Sequence, residues 1–161
     1  MPYQVAVCGP RDCTDRDRAN ALRVGQLLAE QGAVVLCGGG VGVMAAVAEG
    51  ARSRDGLVIG IRPDTDPKGA SQDLSAVIYS NLGEARNAVL VWSADAVISI
   101  GGSWGTLSEV ALAMRRGGVP VVCLDGWRLE DHQGNPIGGI AYASTPEEAV
   151  TTALSSRKNE G

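Results

Sequence analysis

The chain has no phenylalanine and a single histidine among its 161 residues, and aromatic residues make up only 4% of the total. Without aromatic side chains to fill it, the interior has to be built from valine, leucine, isoleucine and alanine. The four cysteines form no C-x-x-C pair, and with His132 as the sole histidine the ligand spacing of a zinc site is missing. We therefore predict no metal site.

Basic residues are scarce and scattered. Lysine and arginine total 14 against 18 aspartates and glutamates, which gives a formal charge of −4, and no lysine- or arginine-rich block occurs. This balance argues against a nucleic-acid backbone or an anionic membrane as a partner. No apolar stretch reaches membrane-spanning length and no signal-like segment opens the chain, so we expect a cytoplasmic protein.

Short apolar runs alternate with helical patterns along the whole chain. The runs read as strands at residues 3–8, 33–37, 57–61, 76–79, 96–100 and 119–124, with a further edge strand at 138–142. Helices are predicted at residues 15–31, 41–54, 84–93 and 106–116, and a last helix begins after Thr145 as N-cap. Strands that are continuously apolar, as these are, are typical of a sheet covered on both faces.

This alternation predicts an α/β fold: a Rossmann-like, doubly wound, largely parallel sheet of six to seven strands with helices on both faces. We expect one domain over residues 1–156 and a frayed tail at residues 157–161. Two polar loops, at residues 62–75 and 125–138, are longer than this fold requires. Such loops are typical either of lids and binding loops or of tolerated surface insertions.

Glycine is abundant, with 22 residues, and it clusters after three of the predicted strands. The ends of parallel strands meet at one edge of a sheet, where glycines let backbone N–H groups approach an anion beside a helix N-terminus. We therefore predict that a phosphate-bearing small molecule binds there. The predicted binding residues are Gly9; Gly38, Gly39, Gly40, Gly42 and Met44; and Gly102, Ser103, Trp104, Gly105 and Thr106.

A dinucleotide-binding oxidoreductase is a weaker alternative. Residues 40–45 fit the pattern G-x-G-x-x-A, and Asp64 follows at about the spacing of a ribose-binding acid. The pattern, however, follows the second predicted strand instead of the first.

Two charged residues stand out in otherwise apolar helical segments. Arg86 is suited to recognition of a phosphate or carboxylate, although an arginine at the rim of a surface helix gives the same pattern. Glu109 follows Thr106 by three residues, so it is either a functional carboxylate or the acid of a capping box at the start of its helix.

Three segments in matching order resemble the Lonely Guy (LOG) family, whose members were long mislabelled as lysine decarboxylases. They are GGGVGVMAAVAEGA at residues 38–51, EARNAVLVWSADAVISIGG at 84–102 and GGSWGTLSE at 101–109. The resemblance is nearest to the bacterial subgroup allied to molybdenum-cofactor carrier proteins. It implies a Rossmann-like nucleotide-binding domain that assembles as a homodimer or as a tetramer of dimers.

The LOG motif P-G-G-x-G-T-x-x-E binds the phosphoribosyl part of a nucleoside monophosphate. This chain matches it at Gly102, Gly105, Thr106 and Glu109. The resemblance also puts the family's catalytic arginine at Arg86 and its catalytic acid at Glu109.

The chain departs from the family pattern at three positions. Gly101 replaces the proline of the motif, Ser103 replaces its second glycine, and Asn87 replaces the lysine that follows the arginine. Loss of that lysine removes a cation near the phosphate, which argues against phosphoribohydrolase activity. Trp104 would either stack on the ring of a bound ligand or pack at a subunit contact.

The resemblance implies two functions from different classes, and neither requires a resident cofactor. The first is a hydrolase that releases base and ribose 5-phosphate from a nucleoside 5′-monophosphate, with Arg86 holding the substrate and Glu109 as the acid. The second is a non-catalytic carrier of the pterin-based molybdenum cofactor. Lysine decarboxylation is excluded because the only lysines, Lys68 and Lys158, lie in a polar loop and in the tail.

The predicted helices at residues 84–93 and 106–116 are apolar on nearly all sides, which is more than one sheet face can cover. We therefore expect a homo-oligomer, in the simplest case a twofold dimer.

Overall fold

A computed structural model describes residues 1–159 and contains one sheet of seven strands. The strands run in parallel in the order β4-β3-β2-β1-β5-β6-β7, which confirms the predicted doubly wound α/β fold. They are β1 (Gln4–Cys8), β2 (Val34–Cys37), β3 (Val58–Arg62), β4 (Ala76–Tyr79), β5 (Ala96–Ile100), β6 (Val121–Leu124) and β7 (Ala141–Ala143).

Five helices cover the two faces of the sheet. They are α1 (Asp15–Glu30), α2 (Val43–Arg52), α3 (Arg86–Trp92), α4 (Trp104–Arg116) and α5 (Pro146–Ala153). Helices α1, α2 and α5 pack together on one face, and α3 and α4 pack together on the other. In the described residues no helix is long and apolar enough to cross a membrane.

Short 3₁₀ helices occur at two places. One, at Gly83–Ala85, leads into α3, so the segment predicted as a helix from residue 84 reaches α geometry only at Arg86. The other, at Ser155–Asn159, takes up the first part of the predicted frayed tail, and residues 160–161 of that tail lie outside the described residues.

The sheet separates two apolar cores, and successive residues of each strand enter opposite ones. In β1, Val5 and Val7 pack under α1, α2 and α5, whereas Ala6 and Cys8 pack under α3 and α4. Every residue of β5, which lies beside the central strand β1, is buried. This two-sided burial explains why the strand sequences are continuously apolar.

Strands β1 and β5 are neighbours, but the chain leaves them toward opposite faces: β1 leads to α1 and β5 leads to α4. In an open parallel sheet, such a change of direction separates the two following loops and creates a crevice at the carboxyl ends of the strands. The two cavities described below lie on either side of the loop that follows β5.

Candidate functional site

A cleft of about 500 Å³, here called the α3–α4 cleft, opens at the carboxyl end of the sheet. Its walls come from the loop after β1, the start of α3 and the first two turns of α4. Eight of the residues predicted from the sequence line it: Gly9, Met44, Arg86, Gly102, Ser103, Gly105, Thr106 and Glu109. The structure thus brings Arg86 and Glu109 into one cleft from two different helices.

The end of this cleft that is best suited to an anion is the start of α4. Ser103 is the N-cap: its backbone is extended, and its Oγ accepts a hydrogen bond from the Thr106 N–H at 3.1 Å. The other N–H groups of the first turn have no partner inside the helix, and together with the helix dipole they favour a bound anion.

The structure contradicts the alternative in which Thr106 and Glu109 form a capping box. Helix α4 begins at Trp104, two residues earlier than predicted, because Ser103 supplies a good N-cap side chain. Thr106 is therefore inside the helix, and Glu109 lies in its second turn, beyond reach of the capping amide. The carboxyl group of Glu109 instead faces the α3–α4 cleft.

Arg86 is fixed by the main chain of two strand ends. Its Nη1 donates hydrogen bonds to the carbonyl oxygens of Gly38 at 2.9 Å and Ile61 at 2.7 Å. Its Nε is buried and has no hydrogen-bond partner among residues 1–159. The guanidinium group is therefore a positioned cation whose buried Nε donor is unused.

Glu109 is a buried carboxyl group, with 8% of its surface exposed. Burial raises the pKa of Glu109 to about 7, although the nearby Arg86 charge and the Cys8 thiol both favour the ionised form. Burial, and next the charge of Glu109, also raise the pKa of Cys8, so this thiol stays protonated. A carboxyl group that titrates near neutral pH inside a cleft is suited to acid–base chemistry.

Arg86 and Glu109 form no ion pair within 4.0 Å in the part of the chain that the structure describes. Their charges interact through the cleft, as the effect of Arg86 on the pKa of Glu109 shows.

Asn87 is the second polar residue that α3 contributes to the cleft wall, and 7% of its surface is exposed. Its Nδ2 donates to Ser108 Oγ at 3.1 Å, while its Oδ1 has no partner among the described residues. Buried polar groups are almost always hydrogen-bonded, so each exception requires an explanation. Arg86 Nε and Asn87 Oδ1 are two such exceptions on neighbouring residues of one cleft.

The glycines after β2 do not line the α3–α4 cleft. The Gly38 carbonyl oxygen accepts from Arg86, the Gly39 carbonyl oxygen accepts from the Ser71 N–H, and Gly40 packs against Met44. These residues are in contact with other parts of the protein, and their predicted role in ligand binding stays a prediction.

Gly42 is the N-cap of α2 and has a positive φ of 70°. A Cβ at this position would lie 2.5 Å from the Pro10 carbonyl oxygen and 2.3 Å from that of Arg11. The Pro10 carbonyl also accepts the first amide of α2, from Val43, at 3.1 Å. Main chain of the β1–α1 loop therefore occupies the start of α2, where the dinucleotide alternative requires a phosphate.

Asp64, the acid that the dinucleotide alternative would use to bind ribose, is paired with Arg62. Arg62, itself buried, forms an ion pair with Asp64 at 3.1 Å. Arg62 also donates to the carbonyl oxygens of Asp66 and Lys68 and so holds the loop that follows β3. Within this loop the acid is part of a structural network.

Trp104 lies outside the cleft lining, with 78% of its surface exposed, and packs edge to face against Trp127 at 5.0 Å between ring centroids. The Trp127 ring covers Gly102, where a Cβ would lie 2.4 Å from the ring. A second cavity, of about 590 Å³, lies on the other side of Gly102, and Trp127, Arg128 and Tyr142 help to line it. Sequence reasoning missed these three residues: the length of loop 125–138 was the only signal for Trp127 and Arg128, and Tyr142 lies in the edge strand β7.

Comparison with known proteins places this fold and cleft in a family. Residues 2–150 match the sequence model of the SLOG cluster4 family. The chain belongs to this family. An uncharacterized protein from Archaeoglobus fulgidus is 39% identical to this chain over 159 residues, which is 95% of each chain.

Two solved structures relate this SLOG cluster4 chain to molybdenum-cofactor proteins. The molybdenum cofactor binding protein from the phototrophic bacterium Rippkaea orientalis is 36% identical, with a TM-score of 0.87 over 98% of each chain. The Moco carrier protein from Chlamydomonas reinhardtii is 26% identical, with a TM-score of 0.84 over 100% of each chain. The expected kinship with LOG-type proteins allied to molybdenum-cofactor carriers is confirmed.

Proposed function

We propose that this SLOG cluster4 protein binds a phosphate-bearing pterin of the molybdenum-cofactor type in the α3–α4 cleft and acts as its carrier. The observation that carries the proposal is the pair of unpartnered polar atoms in the cleft, Arg86 Nε and Asn87 Oδ1, beside the open amides of α4. The likeness to a molybdenum cofactor binding protein and a Moco carrier protein supports it.

The residues of the cleft fit such a ligand. Its volume of about 500 Å³ is in the usual range for small-molecule sites. The first turn of α4, from Ser103 to Thr106, would hold the phosphate through N–H and hydroxyl groups. Arg86 would add a positive charge, and the walls formed by the β1–α1 loop and α3 would hold the ring. No resident cofactor is required for this function.

A second candidate function is hydrolysis of a nucleoside 5′-monophosphate, and one observation favours it. Arg86 and Glu109 line the same cleft, and the pKa of Glu109 is raised to about 7 by burial. Arg86 would bind the phosphate or ribose oxygens. Glu109 would stabilise positive charge at the sugar carbon while water attacks it and the bond to the base breaks. Asn87 in place of a lysine leaves one cation fewer for the phosphate.

Three measurements separate the carrier from the hydrolase. Native mass spectrometry of freshly purified protein should find a bound pterin phosphate, and metal analysis of the same sample should find molybdenum. Incubation with AMP should release no ribose 5-phosphate from a carrier. A hydrolase should release it, and Glu109→Gln should slow that release by about 100-fold or more.

The cleft itself is tested by titration calorimetry with inorganic phosphate and AMP. Both should bind the parent protein, and Gly105→Val, which covers the amides at the start of α4, should weaken both. If neither compound binds and no phosphate-bearing ligand co-purifies, the proposed function is wrong.

A further inference from the structure

Asn87 is oriented by a chain of two hydrogen bonds at the side of the α3–α4 cleft. The Ser108 hydroxyl donates to the Gly105 carbonyl oxygen at 2.8 Å, which leaves its own oxygen free to accept a hydrogen bond. Asn87 Nδ2 is its donor, at 3.1 Å. With the amide nitrogen facing Ser108, Oδ1 is the atom left without a partner.

Asn87 Oδ1 is a strong acceptor without a donor. It has no partner among the described residues, and only 7% of the Asn87 surface is exposed, so solvent does not replace the missing bond. An unpaired buried acceptor destabilises a protein, unless a group that binds there completes it. Because Asn87 lines the cleft, that group has to come from the cleft side.

We infer that Asn87 recognises the part of the ligand that is not the phosphate. Its Oδ1 accepts a hydrogen bond from an N–H or O–H group on that part of the ligand. The inference rests on the proposed function, since it requires an anionic ligand in the same cleft.

The donor belongs to the ring or the sugar of the ligand because the phosphate has other hydrogen-bond partners in the cleft. Phosphate oxygens at neutral pH are mainly acceptors, and the start of α4 and Arg86 offer them donors. Asn87 adds an acceptor, and Glu84 and Glu109 in the same cleft are acceptors when ionised. Two kinds of group supply the complementary donor: a ring N–H, as in pterin and guanine, and a sugar hydroxyl.

The test compares four probes on the full chain by titration calorimetry: inorganic phosphate, ribose 5-phosphate, AMP and GMP. The readout is the Kd of each organic probe divided by the Kd of phosphate, which cancels changes at the phosphate subsite. Asn87→Leu, which removes the acceptor, should raise this ratio about tenfold for at least one probe. Asn87→Asp, which keeps an acceptor, should leave it within about threefold.

The pattern over the probes identifies the donor. A loss shared by ribose 5-phosphate, AMP and GMP assigns a sugar hydroxyl, and a loss confined to GMP assigns the ring N–H and amino edge that GMP shares with pterins. Ser108→Ala gives a second route that leaves Asn87 in place: without the partner that orients the amide, the same ratio should rise about threefold. Thermal melts of all three variants establish that they are folded.

Three results overturn the inference while the phosphate site stands. They are unchanged ratios in both Asn87→Leu and Ser108→Ala, equal losses in Asn87→Leu and Asn87→Asp, and a parent protein that binds phosphate as tightly as every organic probe. A parent protein that binds none of the four probes contradicts the proposed function itself.

Discussion

Burial of the Glu109 carboxyl group couples the stability of the protein to pH. The folded state holds the Glu109 proton up to a pKa of about 7, whereas the unfolded chain releases it near 4.5. Between these values the folded state binds more protons, so its stability falls as the pH rises, and the loss is complete above pH 7. At about 1.4 kcal/mol per pKa unit, the effect is on the order of 3 kcal/mol.

Glu109→Gln should remove this dependence, because a neutral amide of the same shape has no charge to desolvate. We expect the free energy of unfolding of the variant to exceed that of the parent by about 3 kcal/mol at pH 8 and to be close to it near pH 4.5. Urea unfolding followed by circular dichroism at both pH values measures the difference. Glu49→Gln, at a half-exposed surface ion pair with Arg18, is the matched control and should leave the pH dependence intact. Parallel pH profiles for parent and Glu109→Gln would show that the carboxyl group is solvated.

The two central charges could be predicted from the sequence because charges are rare in their apolar helical segments, where Arg86 is accompanied only by Glu84. Arg86 and Glu109 both line the cleft, as that pattern suggested. The glycines after β2 show the limit of the same reasoning. Gly42 is needed where the main chain of Pro10 approaches closely, and a sequence does not distinguish such an approach to protein from an approach to a ligand.

Helices α1 and α2 cross at the main chain of two buried glycines. A Cβ on Gly50 would lie 2.0 Å from the carbonyl oxygen of Leu22, and one on Gly25 would lie 2.2 Å from that of Val47. Backbone atoms cannot move aside as flexible side chains do. The distance between these two helices therefore depends on the absence of side chains at both positions.

Gly50→Ala should destabilise the protein by about 3 kcal/mol, because the added methyl group forces α1 and α2 apart. Gly105→Ala is the matched control: its Cβ would have only Ser103 Oγ nearby, at 3.9 Å. Alanine is also the better helix former, so this control should be as stable as the parent or up to about 1 kcal/mol more stable. Chemical unfolding of both variants measures the contrast, and equal stabilities would mean that the helix pair adjusts without strain.

The first turn of α4 depends on the Ser103 side chain. Ser103→Ala removes the bond to the Thr106 N–H and should lower the free energy of unfolding by about 1 kcal/mol. Ser103→Asp, which restores a capping acceptor, should recover most of the loss. If the alanine variant unfolds at the same urea concentration as the parent, water caps the helix equally well.

Element order was readable from the sequence, whereas element ends were decided by single side chains and contacts. The inner strands were found because both of their faces are buried, whereas the edge strand β4 is apolar although it is mostly exposed. Helix α4 begins earlier than predicted because Trp104 and Gly105, which look like turn residues, follow an effective cap at Ser103. Asn87 stood out only as a departure from a family pattern, and its unused acceptor becomes visible only once Ser108 is placed beside it.

The outer face of α3 leaves apolar surface in contact with solvent. Val89 and Trp92 lie one turn apart on this helix, and 63% of the Trp92 surface is exposed. We propose that a second copy of the chain covers this face, as the apolar helix sequences predict for a homo-oligomer.

Trp92→Glu should therefore dissociate the oligomer at micromolar concentration, because a charge would be buried at its interface. Light scattering coupled to size exclusion gives the mass of the parent and the variant. Leu57→Glu is the control: this exposed apolar residue precedes β3 and lies outside α3, so the variant should keep the parent mass. A parent protein of monomeric mass would refute the proposal.

The position of β1 at the centre of the sheet has a consequence for the order of events in folding. Strands β2, β3 and β4 join β1 through successive neighbours, but β5 pairs with β1 across a long separation, shown by the bond from the Gln4 N–H to Asp95, 91 residues along the chain. Contacts of such high sequence separation form slowly, because a large loop has to close first. The α3–α4 cleft needs the loops after both β1 and β5, so it exists only after this closure. A ligand that binds there therefore stabilises only the fully folded chain. It does not stabilise a partly folded form in which only the N-terminal half has folded.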